Sequence, residues 1–181
     1  MRILEEMFAE FEQAEFTKNE EKNVTLLLET KPAQLKAIED RATSLIDVYQ
    51  DFDGSSAALY FMGRAYLRYS DLLFEAPPPK GLDQEGMDFY YEEIDKRRIP
   101  VEDKGRARLE TGVQKAKDAK QWNEWVSRSL DVLADRFPSD FAREKQELRG
   151  TTEGSFVPRG GPIDFRPKPA AEETPAEGGE E

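Results

Sequence analysis

The chain has 181 residues, 38% of them hydrophobic and 35% charged, which is enough for one domain of ordinary size or a short helical array but not for several independent cores. It contains no histidine and no cysteine, so Ser-His-Asp and Cys-His nucleophiles, thiolate zinc sites and disulfides are excluded by inventory. Its 38 acidic against 26 basic residues give a net charge of −12, the wrong sign for a protein that must neutralise phosphates, and nucleic acid is not an expected ligand.

The opening residues, Met1-Arg2-Ile3-Leu4-Glu5-Glu6-Met7-Phe8, carry acids where a secretory signal needs an uninterrupted apolar run, and no stretch approaches 18 consecutive apolar residues. Neither an export signal nor a membrane span is therefore expected. A chain without cysteine suits a cytosol and an oxidising periplasm equally, so the compartment stays open. Within this start, Leu4, Phe8 and Phe11 already recur at helical spacing. Val24-Thr25-Leu26-Leu27-Leu28 forms a second apolar run. Pro32 follows, and either kinks one long helix or, with Thr30 as cap, starts a new one.

Between Pro32 and Gly54 the residues Leu35, Ile38, Ala42, Leu45, Tyr49 and Phe52 recur at alternating intervals of three and four, which predicts one stripe of an amphipathic helix. Asp53-Gly54-Ser55-Ser56 reads as a turn and cap. Its similarity to a calcium loop is superficial, because the glycine falls two places early and Met62 stands where a bidentate Glu is needed. Helix resumes at Ala57. Leu59, Met62, Tyr66, Tyr69 and Leu73 share one face, widened by Ala58, Phe61, Ala65 and Leu72, so this is the helix expected to be most buried. Pro77-Pro78-Pro79 ends it.

Asp83 can cap a further helix holding Phe89-Tyr90-Tyr91, which Pro100 is expected to interrupt. From 96 to 120, nine basic residues stand against four acids; the run including Lys96, Arg97, Arg98, Lys104, Arg106 and Arg108 either attracts an acidic partner or, the plainer reading, is a solvated helix face. A last amphipathic helix places Trp122, Val126, Leu130, Leu133 and Phe137 along one side, with Trp125 beside them and at least one tryptophan in the core. A short charged helix over 139–149 is expected to close the array. After residue 150 the chain is rich in Gly and Pro and ends in acids, which predicts a disordered tail over 150–181. Phe156, Ile163 and Phe165 within it are either incidental or anchors of a linear docking motif.

The expected architecture is all-α, with antiparallel helical hairpins in residues 1–149: N-terminal helices over 1–53, then pairs over 55–138 split by a Pro-rich loop at 77–82. One repeat register fits. Lys36-Ala37-Ile38 and Leu45-Ile46-Asp47-Val48-Tyr49, followed by Ala57 through Leu67, resemble the second helix of one tetratricopeptide repeat leading into the first helix of the next. Gly63 takes the small position, Met62 the apolar position before it and Tyr66 the aromatic one. Residues 83–138 look like a degenerate second pair, ending at Phe137-Pro138. The chain also resembles the C-terminal portion of large tetratricopeptide-repeat proteins of deltaproteobacterial and myxobacterial cell envelopes, on Ala58-Leu59-Tyr60 through Gly63 and Tyr66, the Ala76–Leu82 loop, Tyr90 or Tyr91, Pro100 with Lys104 and Ala107, and Asn123-Glu124-Trp125. That resemblance implies a TPR-like short solenoid acting as a non-enzymatic scaffold, and the end of a longer chain.

In such arrays the first helices line a concave groove. Carried over from Gly63, this points to Tyr60, Arg64, Leu67 and Arg68. Tyr60, Arg64 and Arg68 also lie at i, i+4 and i+8 on one helix face, and two guanidiniums beside an aromatic make a clamp for a carboxylate of a protein or peptide. The competing reading pairs them with Asp47 or Asp51. No catalytic residue, metal ligand or cofactor is expected: Glu-x-x-His pairs and phosphate-cradling glycine loops are both missing. The rival function is structural, a coiled-coil or helical-bundle oligomer in which residues 20–52 pair between chains.

Overall fold

A computed structural model describes residues 2–14 and 16–141. The tail expected over 150–181, its three apolar anchors and most of the closing helix expected over 139–149 lie outside the described residues. Those described are all helical in their regular structure: α1 (Arg2–Glu12), α2 (Glu20–Thr25), a π turn (Leu26–Thr30), α3 (Lys31–Tyr49), α4 (Phe52–Glu75), α5 (Gln84–Ala119) and α6 (Glu124–Arg136). No helix among them is long and apolar enough to cross a membrane.

The helix ends follow from short polar side chains that satisfy exposed backbone N–H groups. Asn19 caps α2 by accepting from Lys22 N at 3.2 Å, Asp83 caps α5 by accepting from Gly86 N at 2.9 Å, and Asn123 caps α6 by accepting from Val126 N at 3.0 Å. Asp51 caps α4, its Oδ1 accepting from Gly54 N at 2.6 Å, with Gln50 in the left-handed region completing the reversal out of α3. Asp53-Gly54-Ser55-Ser56 therefore forms the first turns of α4 and not the turn itself; Asp51 took the cap two residues earlier. Around Pro32 no new helix starts, since Thr30 is helical and its side chain caps nothing; the helical backbone runs on. Instead, Lys31 N–H bonds to Leu26 O five residues back, a widened turn next to the residue whose own N–H is missing.

Helix α4 lies at the centre, packed by α1, α3, α5 and α6. It runs antiparallel to α3, as the Tyr66–Glu39 bond far from the Gln50-Asp51 turn requires, and antiparallel to α5, because Leu59 meets Gly112 while Gly63 meets Leu109 and Gly105. Leu35, Ile38, Ala42 and Leu45 bury the expected stripe of α3 in the main core together with Leu4, Phe8 and Phe11. The stripe ends sooner than its spacing implies. Tyr49 is 65% exposed, and Phe52 packs from the start of α4 into a second cluster formed with α5 and α6.

Pro100 does not interrupt α5, which continues for 36 residues. The residue is exposed. Downstream of it, Gly105, Leu109, Val113 and Ala116 are buried, and that burial outweighs the missing hydrogen bond. Trp122 also departs from expectation: it precedes α6, is 44% exposed and donates its indole N–H to Ser127 Oγ at 2.7 Å. Trp125 is the core tryptophan, with its ring centroid 5.3 Å from Phe61 and 5.6 Å from Tyr60.

Candidate functional site

Glycine sets the close approach of α4 and α5. A Cβ added at Gly63 would lie 2.5 Å from Leu109 Cγ and 3.0 Å from Gly105 O, and one added at Gly105 would lie 3.0 Å from Gly63 O. The two backbones touch where neither carries a side chain. This contact fixes which faces of α4 look outward, and with them the positions of Tyr60, Arg64, Leu67 and Arg68.

The structure does not gather these four into one exposed patch. Tyr60 is half-buried between Phe61 and Trp125. Leu67 is 3% exposed and packs with Leu109, Val113 and Leu130 in the second cluster, so as a groove residue it presents no surface; helical spacing put it near Arg64 and Arg68, but the Gly105 approach draws it inward. Arg64 pairs with Glu12 at 3.1 Å and its guanidinium carbon lies 5.9 Å from the Phe8 ring centroid. Arg68 reaches both carboxylate oxygens of Glu75, at 3.0 and 3.2 Å. The partners expected from sequence, Asp47 and Asp51, are not used: Asp51 is committed to capping α4, and α1 with the end of α4 supplies nearer carboxylates.

Helix α1 reaches Arg64 because a buried lysine anchors its end. Lys31, 2% exposed, donates from Nζ to Phe11 O at 2.7 Å and Gln13 O at 2.9 Å, and lies 4.9 Å from the Phe11 ring centroid. These bonds satisfy carbonyls that a helix C-terminus leaves open and place a positive charge at its negative end. Burial lowers the Lys31 pKa from its ordinary value, Arg68 adds to the lowering and Glu10 opposes it. Nothing in the sequence marked Lys31, since a lone lysine between helical segments reads as surface charge.

Four of the six basic residues singled out on α5 are paired with carboxylates within the fold. Lys96 bonds Glu92 and Glu93, Arg98 bonds Asp95 and Glu102, Arg106 bonds Glu110 and Asp140, and Arg108 bonds Glu39. Two of these carboxylates also join helices. Glu39 accepts from Tyr66 OH at 2.9 Å and from Arg108 at 3.1 Å, tying α3, α4 and α5 together. Glu102 receives Arg136 of α6 at 2.8 Å, while Arg136 also pairs with Asp71 of α4.

A second feature was not read from the sequence. Between α2 with the π turn on one side and α5 on the other lies an open cleft of about 340 Å³, its walls formed by Val24, Leu28, Leu73, Tyr90 and Ile94. Val24 and Leu28 are 54% and 51% exposed. They belong to the apolar run at 24–28, of which only Leu27 is buried. The run itself was visible; that half of it faces outward follows from where α5 lies, which spacing along one segment does not encode. Among the described residues, no group of three or more Asp or Glu side chains is arranged to hold a metal ion. No protein-family model, curated protein or solved structure matches this chain.

Proposed function

We propose that the chain is a non-enzymatic protein–protein interaction module built as a short TPR-like array, with Tyr60, Arg64 and Arg68 offering a surface to a carboxylate-bearing peptide. The observation that carries this reading is the glycine-to-glycine contact of Gly63 with Gly105: a helical hairpin closed at a small position, with α3 before it and α6 after it, is what a tetratricopeptide-like unit requires. The helices are longer than that comparison asks, because α4, its loop and α5 run from Phe52 to Ala119, twice the roughly 34 residues of one repeat.

The internal carboxylates support exchange with a ligand. Glu12 and Glu75 side chains are nearly half exposed in their pairs with Arg64 and Arg68, and exposed pairs of this kind contribute only about 0–1 kcal/mol. An incoming peptide carboxylate can replace them at little cost. The rival reading, oligomerisation through residues 20–52, finds its stripe of Leu35, Ile38, Ala42 and Leu45 already buried within the chain.

Selection of binders from a random peptide library tests the proposal. Selected peptides should carry an acid, bind more tightly to the Glu12→Gln/Glu75→Gln double variant, whose guanidiniums are released, and bind weakly to Arg64→Gln/Arg68→Gln at unchanged helicity. Equal binding to all three forms removes the guanidiniums from the recognition surface.

A further inference from the structure

We propose that the apolar cleft between α2, the π turn and α5 is the docking site for this chain's own segment Phe156–Phe165. This inference uses none of Tyr60, Arg64 or Arg68 and stands whether or not that face binds a peptide. The cleft is a surface without an occupant among the described residues: Val24 and Leu28 stand half exposed on one wall, Tyr90 and Ile94 form the other, and Leu73 lies between them. Exposed apolar surface gathered into a concavity of this size marks a ligand site more often than chance scatter does.

Three observations select the occupant. First, nearly all the large apolar residues that follow Phe141 fall in one short stretch, with Phe156, Val157, Ile163 and Phe165 interleaved with Pro158 and Pro162. The prolines restrict the backbone before docking, which lowers the ordering entropy the contact must offset. Second, the charges are complementary. From Phe156 to Lys168 the chain carries Arg159, Arg166 and Lys168 against Asp164 alone, a basic island in a chain of net charge −12. The cleft presents Glu20 and Glu93, and Glu20 is held only loosely, 3.7 Å from an exposed Lys80. Arg97 on the same wall has no carboxylate within ion-pair distance among the described residues and offers a partner for Asp164.

Third, the tether reaches. Phe141 sits against α5 at Arg106, 5.3 Å from ring centroid to guanidinium carbon. Ile94 lies twelve residues further back along the same helix, roughly 18 Å away at 1.5 Å per residue. The fourteen residues from 142 to 155 can span up to about 46 Å, enough to pass around the helix as well as along it.

The sequence has no cysteine, so a single Gly160→Cys change allows a nitroxide tag on the full-length, ¹⁵N-labelled chain. Paramagnetic broadening is expected at the backbone amides of Val24, Leu28 and Ile94, and not at those of α6. It should vanish in the Phe156→Ser/Phe165→Ser variant, which leaves the helices untouched, and in Leu28→Glu, which alters a half-exposed position while circular dichroism stays unchanged. A mixture of tagged unlabelled chain with untagged labelled chain should show none of it. Broadening in that mixture would assign the cleft to a second copy and overturn the proposal. Absence of broadening at the cleft, or broadening that survives loss of Phe156 and Phe165, would overturn it equally.

Discussion

Two glycines of the α4–α5 hairpin, one on each helix and each facing the other helix, should respond to a methyl group with opposite signs. At Gly63 the added Cβ would press on Leu109 Cγ at 2.5 Å and on a carbonyl oxygen of the facing backbone at 3.0 Å, neither of them the free end of a flexible side chain. Alanine gains about 1 kcal/mol over glycine in a helix interior, but overpacking of this kind costs about 1–3 kcal/mol, so Gly63→Ala should lower stability. At Gly112 the nearest atom, Leu59 Cβ, lies at 3.7 Å, an ordinary contact, and Gly112→Ala should raise stability by up to about 1 kcal/mol. Urea denaturation of the two variants gives the answer: their midpoints should move in opposite directions, and a shared shift would mean that helix separation is not what Gly63 protects. Gly63 was visible in the sequence, because a small residue one turn before an aromatic has a recognised packing role. Gly105 was not, since its meaning comes from a helix forty residues away in the chain. Lys31 was invisible for a related reason: the carbonyls it serves belong to residues 11 and 13.

At the level of elements, local signals located most helix starts and stops and misjudged one interior. Asp83, Pro77-Pro78-Pro79 and the apolar stripes act within a few residues of themselves, so the end of α4, the start of α5 and the buried stripe of α6 were legible, whereas the start of α4 lies at Phe52, ahead of the Ala57 that the turn-like Asp53-Gly54 suggested. Pro100 was read as a break because the argument from its missing N–H is also local, whereas the burial that carries α5 past it is tertiary. The continuity of α5 makes Pro100→Ala an instructive change. The ring is exposed, and the new N–H would supply the absent bond to the carbonyl of Lys96. Since proline is up to about 3 kcal/mol less favourable than alanine inside a helix, the variant should unfold at higher temperature and higher urea than the parent. A lower midpoint would show that the proline itself is needed for α5 to follow α4. The cleft beside Tyr90 and Ile94 was legible only in its parts, for the same reason that Gly105 was: two walls from distant segments meet by topology.

For the whole molecule, three phenols make stability sensitive to alkali. Tyr66 OH donates to Glu39, Tyr69 OH to Leu27 O at 2.8 Å and Tyr90 OH to Ala76 O at 3.0 Å, so each bond joins separate parts of the fold. Burial raises all three pKa values, and for Tyr66 burial, the Glu39 hydrogen bond and the Glu39 charge push it up to about 12. The unfolded chain releases these protons near pH 10 while the folded chain keeps them. The stability they provide is therefore complete below pH 10 and is lost as pH rises through their raised folded values, for Tyr66 up to about 12. Lys31 acts in the other direction: its lowered pKa makes the folded state gain on the unfolded one as pH climbs towards 10.5. With three phenols against one amine, the urea midpoint should drop between pH 9 and pH 11.5, and Tyr66→Phe should flatten that drop. A midpoint that holds steady across the interval would refute the account.

The lysine that closes α1 also sets an order in time. Helix α1 emerges from synthesis before any of its supports, yet its 11 residues are too few to hold a helix alone in water. Its apolar face rests on α3 and α4, and its last carbonyls wait for Lys31. Of these helices α1 should thus be among the last to settle. Pulse-labelled hydrogen exchange during refolding should protect the amides of α4 and α5 ahead of those at Phe8–Glu12, and the reverse order would show that α1 carries its own stability.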